Sequence, residues 1–150
     1  MHLSEILTLN SIHCGLKVNS KKRILENICQ LASKQIGDIE AEHLLDSLIA
    51  REKVGSTGIG NGIAIPHGRL TNASKPIAVL VTTEQPIDFD AIDNRAVDIF
   101  IALFVPENSC QQHLNTLQSI AKLFSNKSIS KQVRKCKDAE VLFSLIEQAK

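Results

Sequence analysis

Two stretches of this chain, Ile77-Ala78-Val79-Leu80-Val81 and Val97-Asp98-Ile99-Phe100-Ile101-Ala102-Leu103-Phe104-Val105, are nearly continuous apolar runs. A strand with one wet face alternates apolar and polar residues, so unbroken runs of this kind belong to strands covered on both sides. They are expected at the centre of a sheet, and the rest of the chain must supply the cover. After a short leader, Ser20 is placed to cap a helix whose apolar positions Ile24, Leu25, Ile28, Leu31, Ala32 and Ile36 share one face, with Gly37 ending it. A second helix is expected from Ile39 to Arg51, with Ala41, Leu44, Leu45, Leu48 and Ile49 as its stripe and His43 on the surface beside it. Beyond Pro106, Ser109-Cys110-Gln111-Gln112 reads as a capping box, opening a helix that buries Leu117, Ile120, Ala121 and Phe124 and holds His113 in its first turn. Two more helices follow, one around Ile129 to Lys135 and one that Asp138 caps, carrying Val141, Leu142, Leu145, Ile146 and Ala149. Helices before, within and after buried strands imply an α/β fold, a three-layer α/β/α sandwich with a mixed sheet flanked by helices on both faces. With 150 residues, 43% of them apolar, residues 1–150 suit one domain with a single site.

Composition removes several classes of function. Seventeen basic residues against sixteen acidic ones leave a formal charge of +1, so no overall field draws the chain to nucleic acid or lipid headgroups. Five Phe with no Trp or Tyr offer no stacking platform for single strands, and nucleic acid is not an expected partner. Neither a secretory leader nor an apolar stretch long enough to span a bilayer is present, which implies a cytoplasmic protein without direct membrane insertion. Cys14, Cys29, Cys110 and Cys136 lack the close pairing of a structural zinc site and read as reduced thiols. Asp88, Asp90, Asp93 and Asn94 resemble a calcium loop only in part: position 92 is Ile, and the glycine and terminal Glu are missing, so a solvated turn is expected around a short extended piece at Ile87 to Phe89. No metal or other cofactor is called for.

Chemistry concentrates in Arg51 to Gly68. Gly55, Gly58, Gly60 and Gly62 form a loop that leads into the apolar run Ile63-Ala64-Ile65. Pro66 holds Ile65 extended and stops the strand, and Gly68 allows a tight turn directly after His67, so His67 is expected at a strand's end. Loops beyond strand ends are accessible yet held by the sheet, which suits reacting groups. An imidazole with a pKa of about 6.5 is mostly neutral in the cytoplasm, and one ring nitrogen can attack phosphorus while the other is hydrogen-bonded. A phosphoryl group so formed carries nearly two negative charges and needs donors. Arg51, the hydroxyls of Ser56 and Thr57, and the backbone N–H groups freed by glycines such as Gly68 are candidates. His113 is a further one, since it opens a helix and shares a stripe with Leu117 and Ile120 that should point toward the sheet. Gly58-Ile59-Gly60-Asn61-Gly62 is not a dinucleotide fingerprint, because position 63 is Ile and a strand follows instead of a helix. No GxxxxGK[ST] occurs, and without HExxH or a carboxylate cluster the two histidines do not make a zinc hydrolase.

At Ser56-Thr57-Gly58-Ile59-Gly60-Asn61-Gly62-Ile63-Ala64-Ile65-Pro66-His67-Gly68 and Phe89-Asp90-Ala91-Ile92-Asp93-Asn94 the chain resembles EIIA domains of the bacterial phosphoenolpyruvate-dependent phosphotransferase system, in the mannitol/fructose class. Its likeness is greatest to the nitrogen-related EIIA branch and runs from Leu3 to the final helix. The resemblance implies that His67 takes a phosphoryl group from a phosphorylated HPr-like carrier, forming tele-phosphohistidine, and that His113 and Arg51 line the same pocket. It implies a phosphocarrier with a regulatory role more than an enzyme in the usual sense, acting on partners such as potassium transporters or sensor kinases. The alternative is a sugar-specific fructose or mannitol EIIA passing phosphate to a separate EIIB. A third reading, a pure interaction module, predicts no covalent phosphate under any donor condition. One departure stands out: the nitrogen-related pattern often carries a further His where this chain has Asn115.

Overall fold

The computed structural model describes residues 2–35, 39–71 and 73–149. Its two apolar runs become β5 (Ile77–Ile87) and β6 (Val97–Pro106), which pair antiparallel at the middle of a six-stranded sheet. Alternation explains why they read as continuous. Val79, Val81, Phe100, Ala102 and Phe104 enter one core, whereas Ala78, Leu80, Ile99, Ile101, Leu103 and Val105 enter the other. The first core is closed by α2 (Lys21–Ser33) and α3 (Ala41–Val54). The second lies beneath α1 (Leu3–Ile6), α4 (Leu114–Ser125), α5 (Lys127–Lys135) and α6 (Ala139–Gln148). The α/β/α sandwich with a mixed sheet is therefore the observed architecture. Burying side chains such as Phe100, Phe104 and Leu103 contributes on the order of 1.5–3 kcal/mol each, which makes the β5–β6 pair a rigid floor for whatever is set on it.

Around that pair lie β1 (Ile12–Leu16), parallel to β5 at one edge, and β3 (Ile63–Ala64), parallel to β6. Outside β3, β2 (Gly58–Gly60) completes a small antiparallel hairpin, and β4 (His67–Leu70) runs beside β6 further along the same edge. The glycine segment expected as loop is thus partly strand. Asn61 and Gly62 form its turn with φ of 58° and 80°, the left-handed values a tight hairpin needs. The leader holds α1 and β1. Neither has an apolar run, since β1 is an edge strand in which only Ile12 is buried.

Helix boundaries moved for identifiable reasons. Ser20 caps α2 as expected, its hydroxyl accepting from Arg23 N at 3.2 Å, while Ile36 and Gly37 fall outside the described residues. Helix α3 runs past Arg51 to Val54, because nothing breaks it before Gly55. The capping box at Ser109 does not form. Residues Glu107–Ser109 make a short 3-10 turn, more turns follow, and α4 starts at Leu114 with His113 as the residue before it. Asp138 does cap α6, but Val141 on the expected stripe is exposed.

Candidate functional site

Strands β3 and β4 lie on one edge of β6, with Ile65 and Pro66 between them outside the ladder. Proline has no N–H to donate, so the ladder must break there, although the Pro66 carbonyl still accepts from Leu103 N at 3.0 Å. His67 therefore follows the end of β3, as expected, and also opens the next strand, pairing with Leu103. The tight turn expected at Gly68 is absent. Gly68 sits in β4 opposite Phe104, and a Cβ there would meet Ser47 Oγ at 2.7 Å, so its role is to let α3 approach the strand.

The His67 ring is held at both nitrogens. Nδ1 lies 3.0 Å from the Ile65 carbonyl, and Nε2 lies 3.2 Å from Arg51 Nε. A carbonyl only accepts and a guanidinium N–H only donates, so the consistent tautomer carries its proton on Nδ1 and its lone pair on Nε2. Arg51 projects from the last turn of α3 and is itself anchored, with Nη1 donating to the Gly55 carbonyl at 2.8 Å. Burial lowers the His67 pKa below its ordinary 6.5; the Ile65 carbonyl opposes that shift, Arg51 adds to it, and Glu52 again opposes it. At neutral pH the ring is thus an uncharged imidazole whose nucleophilic Nε2 lone pair is covered by Arg51 Nε.

His67 opens onto a cleft of about 530 Å³. Arg51, Gly68 and His113 line it too, together with Ser47, Arg69 and Cys110, and the exposed side chains Val54 and Leu114 stand at its rim. His113 is 8% exposed, with Nδ1 3.4 Å from Thr116 Oγ1. Four of the residues expected at the site are therefore brought together: His67, Arg51, His113 and Gly68. Ser56 and Thr57 are not. The Ser56 hydroxyl donates to the Phe89 carbonyl at 2.8 Å and accepts from Gly58 N, and the Thr57 hydroxyl donates to Glu52. Their hydrogens are committed to holding the loop, which is a correction to the sequence reading. Asn115 is exposed and lies off the lining.

Reading the sequence missed Ser47, Arg69 and Glu52. Ser47 had a signal, since it precedes Arg51 by four residues and so shares its helix face. Glu52 had none, because Arg51-Glu52-Lys53 looks like any charged helix end. The carboxylates around the second motif act as acceptors of backbone N–H: Asp88 takes Asp90 N at 3.1 Å, and Asp93 takes Arg95 N at 3.1 Å and, across to the β2–β3 turn, Asn61 N at 2.9 Å. Those N–H bonds hold the Asp93 carboxyl below the usual carboxylate range. Among the described residues no group of three or more His, Cys, Asp or Glu is placed to hold a metal ion, and no helix is long and apolar enough to cross a membrane.

Residues 5–149 match the family model described as phosphoenolpyruvate-dependent sugar phosphotransferase system, EIIA 2. A nitrogen regulatory protein of Klebsiella oxytoca is 43% identical over 148 residues, covering 98% of this chain and 88% of that protein. One from Pseudomonas aeruginosa is 38% identical over 146 residues, 97% of this chain and 95% of that one. Among solved structures, the nitrogen regulatory protein IIA-Ntr of Neisseria meningitidis superposes with a TM-score of 0.90 at 36% identity, over 96% of this chain and 98% of its own.

Proposed function

Because the chain belongs to the EIIA type 2 family of the phosphoenolpyruvate-dependent phosphotransferase system, we propose that it is a phosphocarrier whose acceptor is Nε2 of His67 and whose phosphorylation state controls protein partners. The observation that carries the reading is the ring's double anchoring: proton on Nδ1 toward the Ile65 carbonyl, lone pair on Nε2 toward the cleft and Arg51. The donor is a phosphohistidine on an HPr-like protein docked over the cleft. Arg51 first yields its N–H from the lone pair to a phosphoryl oxygen. Nε2 then forms a bond to phosphorus as the donor's P–N bond breaks, and that bond's electron pair returns to the donor imidazole. With the donor ring carrying an N–H on its other nitrogen it leaves as neutral imidazole, and no proton has to move, since Nδ1 of His67 keeps its hydrogen on Ile65. Positioning and charge stabilisation supply the catalysis, with Arg51, Arg69 and His113 facing the transferred group.

The relatives at 36–43% identity are nitrogen regulatory proteins, which supports a regulatory output; the proposal places it in the cytoplasm, on targets such as potassium transporters or sensor kinases, by a single EIIA domain spanning 1–150. Incubation with phosphoenolpyruvate and the general transfer proteins should add one acid-labile, base-stable phosphate, and His67→Ala should abolish it. Labelling that survives in this variant places the acceptor elsewhere. No labelling of the wild-type chain by any phosphohistidine donor leaves an interaction module, and rapid onward transfer to a sugar-specific EIIB marks a transport component.

A further inference from the structure

Both groups that hold the His67 ring trace back to one carboxylate outside the cleft. The Glu52 side chain is 6% exposed and pairs with Lys21 Nζ at 3.0 Å. It also accepts from Thr57 N, with its two oxygens at 3.2 and 3.3 Å, and from the Thr57 hydroxyl. Thr57 is thereby folded back against the end of α3. From there one path runs through the backbone: the Thr57 carbonyl takes Ile65 N at 3.0 Å, and the Ile65 carbonyl takes His67 Nδ1–H at 3.0 Å. A second path leaves two residues earlier, where the Gly55 carbonyl takes Arg51 Nη1 at 2.8 Å and Arg51 Nε meets His67 Nε2 at 3.2 Å.

We infer that Glu52 is a positioning residue for phosphoryl acceptance: by holding residues 55–57 it sets the Ile65 carbonyl and Arg51 on opposite sides of the imidazole and so fixes the ring in its Nδ1–H tautomer. Stability alone does not call for such a group, because a buried ion pair is often matched by well-packed apolar side chains. Its acceptors are spent on the segment that carries both ring contacts. The charge has a second effect, since Glu52 opposes the influence of Arg51 on His67. Lys21, which neutralises it, is fixed from another direction by the Phe89 ring at 4.5 Å, the Phe89 carbonyl at 3.5 Å and Asp90 at 3.8 Å. The inference rests on the phosphocarrier reading for its kinetic consequence, but its structural half is measurable without any donor.

The test compares the full chain with Glu52→Ala, Glu52→Gln, Glu52→Met and Thr57→Val. Nitrogen-15 shifts of the His67 ring, taken above its pKa, report the tautomer, and the maximal transfer rate and half-saturating donor concentration are measured separately. In Glu52→Ala the two ring nitrogens should converge toward a mixed-tautomer average, and the maximal rate should fall about 10- to 100-fold with the half-saturating donor concentration changed less than about twofold. Glu52→Gln keeps an oxygen for Thr57 and should recover the single-tautomer spectrum and most of the rate. Wild-type nitrogen shifts and rate in Glu52→Ala, or a loss confined to donor affinity, would overturn the inference. Thr57→Val removes only the hydroxyl bond and should shift the nitrogens less than Glu52→Ala; should Glu52→Ala not fold, Glu52→Met, similar in length but without an acceptor, decides, a shift toward mixed tautomers supporting the role and a wild-type spectrum refuting it. If the wild-type chain takes no phosphate, the phosphocarrier reading fails while the nitrogen shifts still judge Glu52.

Discussion

Gly68→Ala distinguishes close approach from a turn requirement by thermodynamics alone. The added Cβ would lie 2.7 Å from Ser47 Oγ, 3.2 Å from Ser47 Cβ and 3.5 Å from Leu48 Cδ2. The last is ordinary contact. Relieving the first requires the Ser47 hydroxyl to rotate and abandon its bond from Arg69 N, 2.9 Å long, a loss of about 0.5–1.5 kcal/mol. The second forces α3 and β4 apart by a few tenths of an ångström, and overpacking of this type costs about 1–3 kcal/mol. Against these stands a gain of about 0.4–1 kcal/mol from reduced freedom of the unfolded chain. The net expectation is a destabilisation of about 0.5–4 kcal/mol. In a Ser47→Ala background the hydroxyl and its bond are already gone, so the same glycine substitution should cost about 1 kcal/mol less. Urea unfolding of the four proteins of this cycle measures the difference, provided the denaturant slopes agree. If the two substitutions add to within about 0.3 kcal/mol, the side chains do not meet and the contact argued for Gly68 is wrong.

Two further outcomes follow from burial. The folded His67 titrates below 6.5 whereas the unfolded chain takes up that proton near 6.5, so the stability it contributes is fully present above pH 6.5 and declines as pH falls from there through the folded pKa. Transfer should likewise be flat above that point and fall on the acid side, and an NMR titration of His67 with its midpoint at 6.5 or higher would contradict both. Cys29 is 1% exposed and its thiol is pushed up to about 12, so a disulfide reagent at pH 8 should leave it untouched in the native chain while reaching Cys110. Peptide mapping that finds Cys29 modified as quickly as Cys110 would refute that burial.

Legibility in the sequence followed the strength of local patterns. The β5–β6 pair was readable because a strand covered on both faces is apolar without interruption, and most helices because their apolar side chains repeat with the helical period. β1 was not, since an edge strand with one buried residue, Ile12, has no period to show. Pro66 announced a break in the ladder, but not that a strand resumes at His67; that depends on β6 being long enough to pair with β3 and then β4. The reach of a side chain across the fold was the least legible. Ser56 and Thr57 offered hydroxyls in the right motif, yet their partners, Phe89 and Glu52, lie on other elements and turn them from the cleft. Gly68 was picked out for flexibility when its use was space.

The same division explains how the site holds charge. The charged side chains lining the cleft are Arg51 and Arg69, and Glu52, next to Arg51 in the chain, faces the loop behind. On the proposed phosphocarrier reading, an arriving phosphoryl group meets cations in front, where attraction is strong because the ring is half-buried, and no carboxylate in the lining repels it. Before arrival, Arg51 occupies the Nε2 lone pair and burial keeps the ring neutral, so the proposed nucleophile is present but covered. In the proposed transfer the guanidinium can serve the phosphoryl oxygens without leaving its Gly55 anchor, since Nη1 holds that carbonyl while Nε is the group that must let go. A lysine at position 51 would have a single nitrogen for both tasks. Lacking the fork, it would have to give up either the loop or the acceptor, and that makes arginine's geometry, beyond its charge, the feature that lets one side chain guard the imidazole and then receive what the imidazole binds.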